Sequence, residues 1–302
     1  MTDIHSKKYE TTSAELERIH AFYRLTSLTR LPAKKGDGIY NEATVYRGGK
    51  THRVAWQSPS VDSQLRRGDI VIAHRVSSPS EVFGPCYPAR LIRADRSEGI
   101  VNLFDLLPSA WLADPSLAAR ASVLWERMDK PMRRLFNAVL WERGRFLNYV
   151  TGSARPALLA AGSGSNLHIA VNLAEQALLL AEGLPTIEHG VLIAAALLQK
   201  AARVEDDRRA ADGEMRPRVG GLWTGYQQTI LQWLAAARSH VCIPDSFYDR
   251  LIHVLIAGHR SELSVFSLEA AILDSAWKLI DTSTRARPPG SKTVRAHHEI
   301  FY

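Results

Sequence analysis

Cysteine is scarce in this 302-residue chain: Cys86 and Cys242 lie far apart and in no Cys-x-x-Cys spacing. That excludes a disulfide framework or a thiolate zinc site as the basis of the fold, and it suits a reducing cytoplasm. Long hydrophobic runs are also missing. The longest, Ala177 to Ala181 and Val191 to Leu198, are too short to cross a bilayer, and Met1 to Lys8 is polar where a secretory leader would be apolar. A cytoplasmic protein with no membrane part is expected. Several catalytic motifs are absent: no Gly-x-x-x-x-Gly-Lys-Ser/Thr loop, no Gly-x-Ser-x-Gly elbow and no His-Glu-x-x-His. Chemistry built on a phosphate loop, a nucleophile elbow or a zincin helix therefore has no footing. Gly162-Ser-Gly-Ser165 reads as a helix cap by Ser165 or Asn166 rather than as a phosphate cradle.

What is present is an ordinary globular composition, 46% hydrophobic and 23% charged, with a basic balance. A formal net charge of +7 draws the protein to polyanions, nucleic acid first among them.

The texture changes along the chain. Residues 1–20 are polar and form an arm or a short helix. Residues 21–106 read as β: His52 to Gln57, Asp69 to Val76 and Tyr87 to Arg93 are rich in β-branched and aromatic residues, punctuated by Gly, Pro and Ser. About five short strands at this spacing predict a small barrel. Leu65-Arg-Arg-Gly-Asp-Ile-Val-Ile-Ala73 resembles the turn that feeds a strand of OB-folds, with Gly68 free to take positive φ and Asp69 placed to bond the turn. Residues 107–116, interrupted by Pro108 and Pro115, are expected as a linker. Apolar residues at i, i+3, i+4 spacing then predict helices over Leu117 to Met128, Pro131 to Tyr149, Asn166 to Glu182, Thr186 to Arg203, Tyr226 to Arg238, Asp245 to Gly258 and Ser267 to Ser283. Val204 to Gly221 is predicted as an exposed loop, and 285–302 as a basic tail.

The barrel carries the most promising binding residues. Residues 1–106 hold 16 Lys and Arg against 12 Asp and Glu, and aromatic and basic types interleave. Tyr40, Tyr46 and Trp56 are candidates for stacking on bases, and Arg47, Lys50, Arg53, Arg66 and Arg67 for contacting phosphates, the two components of single-strand recognition by such barrels. Alternation puts Tyr40 and Tyr46 on one face, and His52, Val54 and Trp56 on one face; it does not say which face is core.

Five helical segments carry a family likeness. They are Arg134 to Leu147, Asn166 to Glu175, Gly190 to Val204, Leu251 to His259, and Leu268 to Leu273 with Leu279 to Asp281. In this order after a small barrel, they resemble the YhaM-type 3′-to-5′ exoribonucleases, which join an OB-fold to an HD domain. The fold class so implied is α+β, an OB-fold-like barrel followed by an all-helical HD-like domain over 117–284. The resemblance maps His168, His253 and His259 onto metal-binding histidines. Where the family has its His-Asp pair this chain has Gln199-Lys200, the first His of a later pair is Gly258, and the late Asp falls nearer Trp277 than Asp281.

An amide and an ammonium cannot replace imidazole and carboxylate around a divalent cation. The expectation is therefore a catalytically inactive protein with no metal and no cofactor. It would bind single-stranded nucleic acid as an accessory or assembly subunit, its helical domain meeting a second copy or another protein. The alternatives are a metal-dependent 3′-to-5′ exonuclease whose site is reorganised around His168, His253, His259 and Asp281, and a structural subunit of a mobile-element or conjugation system.

Overall fold

The computed structural model describes residues 21–33, 38–76, 83, 85–95, 101–151, 166–199, 201–202, 207–209, 215–217, 219–257 and 267–285. The arm at 1–20 and the tail beyond 285 lie outside them. Five strands, β1 (Phe22–Pro32), β2 (Ile39–Arg47), β3 (Lys50–Ser58), β4 (Ile70–Arg75) and β5 (Tyr87–Arg93), close into a barrel in the order β1-β2-β3-β5-β4. All neighbours are antiparallel except β3 and β5, which run parallel and pair only at Val54 with Tyr87 and Ala55 with Pro88. This barrel is consistent with the OB-like fold expected from the sequence.

Local chemistry explains the turns. Gly48 and Gly49 have φ of 52° and 83°, the left-handed pair that a two-residue hairpin needs to match the twist of its strands, and they join β2 to β3. Gly68 has φ of 93°, and the Arg66 amide donates to Asp69 Oδ2 at 2.7 Å, so the turn before β4 is built as the sequence predicts. Along β2, Asn41, Ala43 and Val45 are buried while Tyr40, Glu42, Thr44 and Tyr46 are half-buried, the period-two alternation of a strand with one covered face.

The barrel core is Tyr23, Leu25, Ala43, Val45, Val54, Trp56, Leu65, Val71, Ala89 and Leu91, among others. In β4 the alternation disappears. Val71 enters the barrel core, whereas Ile70 and Ile72 belong to the larger core of the helical region. Both faces of this strand are covered, which is why its sequence is a continuous apolar run.

Eight α-helices follow among the described residues: α1 (Ser116–Glu126), α2 (Lys130–Leu140), α3 (Arg143–Thr151), α4 (Asn166–Leu180), α5 (His189–Leu198), α6 (Val219–Arg238), α7 (Asp245–Ala257) and α8 (Leu268–Arg285). Every residue of α5 from Gly190 to Leu198 is buried, so this helix is the centre of the bundle. None is long and apolar enough to cross a membrane.

Two expectations are corrected. The helix expected over Pro131 to Tyr149 is two helices, broken at Trp141 and Glu142. The break lets Phe146 pack on Phe104, at 6.2 Å between ring centres, and lets Tyr149 donate to the Leu197 carbonyl at 2.9 Å. The loop expected over 204–221 contains a strand pair, β6 (Asp207–Arg209) with β7 (Met215–Pro217), and α6 begins at Val219, ahead of the predicted Tyr226. In the expected linker at 107–116, Leu107 and Leu112 are buried in the helical core beside a short 3-10 turn at Ser109–Trp111.

Candidate functional site

The outward face of β2 and β3 brings most of the proposed strand-binding residues together. Tyr40 and Tyr46 both lie on it. Tyr40 stacks on Phe83, with ring centres 6.3 Å apart and planes at 19°, in a small outer cluster with Ala55 and Cys86. Burial there pushes its phenol above the usual tyrosine range, with the neighbouring Cys86 and Glu42 adding to the effect. Tyr46 lies toward the hairpin end of the same face, and next to it Arg47 and Lys50 are exposed on either side of the Gly48-Gly49 turn. The Gly48 amide donates to the Asp105 carbonyl at 2.8 Å, which anchors this cationic tip to the chain leaving the barrel.

Arg53 shares the face but is already engaged. Its Nε donates to Glu42 Oε1 at 3.2 Å, and Nη2 meets the same oxygen. The bond to Glu42 holds the guanidinium above its ordinary value, so a phosphate would have to compete with a carboxylate for it.

Trp56 is a correction. It is 2% exposed and lies in the barrel core. The alternation of β3 puts it on the inward face with His52 and Val54, where it is unavailable for stacking on a base.

Arg66 and Arg67 leave the Leu65 to Asp69 turn in different directions. Arg67 covers the Trp111 ring at 5.3 Å. Arg66 lines a polar cleft of about 450 Å³ at the junction with the helices, together with Ser63, Gln64, Asp69, Arg93, Glu142 and Gly144. Arg93, which sequence reading passed over, lies 3.7 Å from Glu142 across that cleft. Behind the same turn is Arg24, wholly buried, with Nη1 donating to the Gly68 carbonyl at 3.0 Å and its guanidinium 4.3 Å from the centre of the Phe146 ring. Its Nε and Nη2 have no hydrogen-bond partner. Burial pushes it down to about 9, while the charge of Asp69 works the other way; at neutral pH it is still a cation.

The helical positions singled out by the resemblance that are described lie on α4, the end of α5, α7 and α8. His168, half-buried in α4, feels the charges of Arg120, Asp114 and Glu175. His253 in α7 is used elsewhere: its Nε2 accepts the Ser267 amide at 3.3 Å, at the start of α8. Gln199 ends α5 and is 6% exposed, with Oε1 lacking a partner. Asp281 is half-buried in α8. Lys200, Gly258 and His259 lie outside the described residues. No three His, Cys, Asp or Glu side chains among the described residues are grouped so as to hold a metal. Among the described residues the donor set does not fit one either, because the His253 nitrogen that accepts an amide proton has no lone pair left for a cation and the uncharged amide of Gln199 stands where the resemblance has an imidazole.

His168 has a consequence for acid stability. Burial, and then Arg120, hold its imidazole below the ordinary histidine value, while Asp114 and Glu175 oppose them. On acidification the unfolded chain therefore takes up this proton before the folded one, and stability falls as pH drops from the ordinary imidazole range through the folded value. The urea midpoint of the native protein should fall more between neutral pH and about pH 5.5 than that of His168→Gln. Equal slopes in the two proteins would show that His168 does not contribute.

Comparison with protein-family models, with curated proteins and with solved structures finds no match to this chain.

Proposed function

We propose that this protein is a non-catalytic, single-strand nucleic-acid-binding subunit, in which an OB-like barrel holds the strand and an HD-like helical part serves as scaffold. The observation that carries this reading is the outward β2–β3 face, where Tyr40 and Tyr46 flank a strand surface that ends in Arg47 and Lys50. Aromatic faces stack bases of any sequence, and cations beside them follow the backbone. The basic balance of the chain supports the same partner. On the helical side, the engagement of His253 by Ser267 and the amide at Gln199 support a scaffold over a metal-dependent nuclease.

Fluorescence anisotropy of labelled single-stranded DNA and RNA tests the reading. With about three phosphate contacts, from Arg47, Lys50 and Arg66, affinity should fall about twentyfold between roughly 50 and 200 mM salt. Tyr46→Ala should remove about 1–3 kcal/mol, the worth of one stacked base. Flat binding curves for both strands would sink the proposal and leave a purely structural subunit. Manganese-dependent trimming of either oligonucleotide, abolished by His168→Ala, would replace it with the nuclease.

A further inference from the structure

The helical surface carries an open groove between α1 and α4 that the nucleic-acid reading does not use. Its volume is about 640 Å³. Asp114, just ahead of α1, acts electrostatically on His168 near the start of α4, and Arg120 donates to Asn172 Oδ1 at 2.7 Å and, through Nε, to Glu175 Oε1 at 2.9 Å. The two helices therefore run in the same direction. Each contributes a stripe of the same spacing to the groove: Arg120, Val123, Leu124 and Arg127 from α1, and Glu175, Leu178, Leu179 and Glu182 from α4 and its end. Both stripes repeat the order charge, apolar, apolar, charge, with the sign reversed between helices.

The first charged pair is closed within the chain, since Arg120 and Glu175 form an ion pair. Arg127 and Glu182, one helical repeat further on, are both exposed and make no ion pair among the described residues. Between the two levels lie Val123, 58% exposed, and Leu179, 62% exposed. Aliphatic side chains this bare, rimmed by charges, mark a protein contact rather than the enclosed pocket of a small ligand.

We infer that this groove is the seat of a second copy of the chain, paired about a two-fold axis that runs along it. A partner selected by the chain's overall charge would be acidic, but the groove is electrically balanced: two arginines on one wall, two glutamates on the other. A two-fold contact is self-complementary. An axis along the groove lays α1 of one copy over α4 of the other with the helices parallel. Arg127 of each copy then meets Glu182 of its partner, and Val123 packs toward Leu179. An axis across the groove would instead set arginine levels against arginine levels, so the charges select the first arrangement.

Sedimentation equilibrium of the full chain, without nucleic acid, tests the inference independently of the strand-binding proposal. The native chain should show a concentration-dependent dimer. Val123→Asp and Leu179→Asp should each weaken it at least about tenfold, with circular dichroism unchanged because both positions are exposed. Arg127→Glu alone and Glu182→Arg alone should each weaken self-pairing by about tenfold, through like charges set face to face. Mixed together, these two variants should form a heterodimer to within about threefold of the native affinity, since every contact across the axis is then complementary. A monomer up to about 100 µM, weaker than a specific contact of ordinary size sustains, would overturn the inference. So would a dimer indifferent to the aspartates, or charge variants that show no preference for each other.

Discussion

Trp56→Ala should lower the unfolding free energy by about 3–5 kcal/mol, the range for deleting a large aromatic side chain from a packed core. The ring is 2% exposed and shares the barrel interior with Tyr23, Leu25, Val45, Leu65 and Leu91. Interiors of this kind are close-packed, and neighbours held in a hydrogen-bonded ladder cannot collapse into the space left behind. Urea denaturation followed by circular dichroism measures the loss; a change below about 1 kcal/mol, the scale of a surface substitution, would mean that the ring is not core. The result bears on function as well. A strand-binding defect in Trp56→Ala would follow from damage to the barrel, so Trp56→Phe, which keeps most of the volume, should retain both the fold and the binding.

The second large effect is expected at Asp69. Its Oδ2 accepts the Arg66 amide, and its charge is the one that offsets the buried Arg24. Asp69→Ala should cost about 1.5–3 kcal/mol, the worth of a hydrogen bond to a charged acceptor, and it also withdraws the charge that opposes the burial of Arg24. The same change in an Arg24→Met background should cost measurably less, because the charge of Asp69 then has no buried cation to oppose. Arg24→Met by itself should cost little, since a well-packed apolar side chain often replaces a buried ion without loss. Four urea titrations, of the native chain, the two single variants and the double, give the coupling directly. Additive costs would show that Asp69 acts on the turn alone and not on Arg24.

The parts of the fold that were legible in the sequence are those fixed by local chemistry. The Leu65 to Asp69 turn is one, because positive φ at Gly68 and the Asp69 carboxylate act within four residues of chain. The strands around His52 to Gln57 and Tyr87 to Arg93 are others. Trp56 was ambiguous for a definite reason: alternation sorts a strand into two faces, but only the closure of the barrel decides which is inside. Arg24 was illegible altogether. Tyr23 and Leu25 turn into the barrel, and only the docking of Phe146 on the other face of β1 takes the intervening arginine out of water. The β6–β7 pair was hidden because a charged run such as Glu205 to Arg209 reads as a solvated loop, and backbone pairing leaves no mark on side-chain periodicity. At the candidate site the same division holds. The shared face of Tyr40 and Tyr46 follows from spacing, whereas the capture of Arg53 by Glu42 depends on the cross-strand register that sets Thr44 opposite Arg53.

Strand β4 gives one residue, Val71, to the barrel core and two, Ile70 and Ile72, to the helical core. The helical core therefore reaches across the change in chain texture near residue 106 and takes in part of the barrel wall. Truncation there would strip the cover from two buried isoleucines and from the guanidinium of Arg24, turning the wall of the barrel into an aggregation-prone surface. Because β4 is covered from both sides, a strand held by the barrel should also raise the unfolding midpoint of the helices.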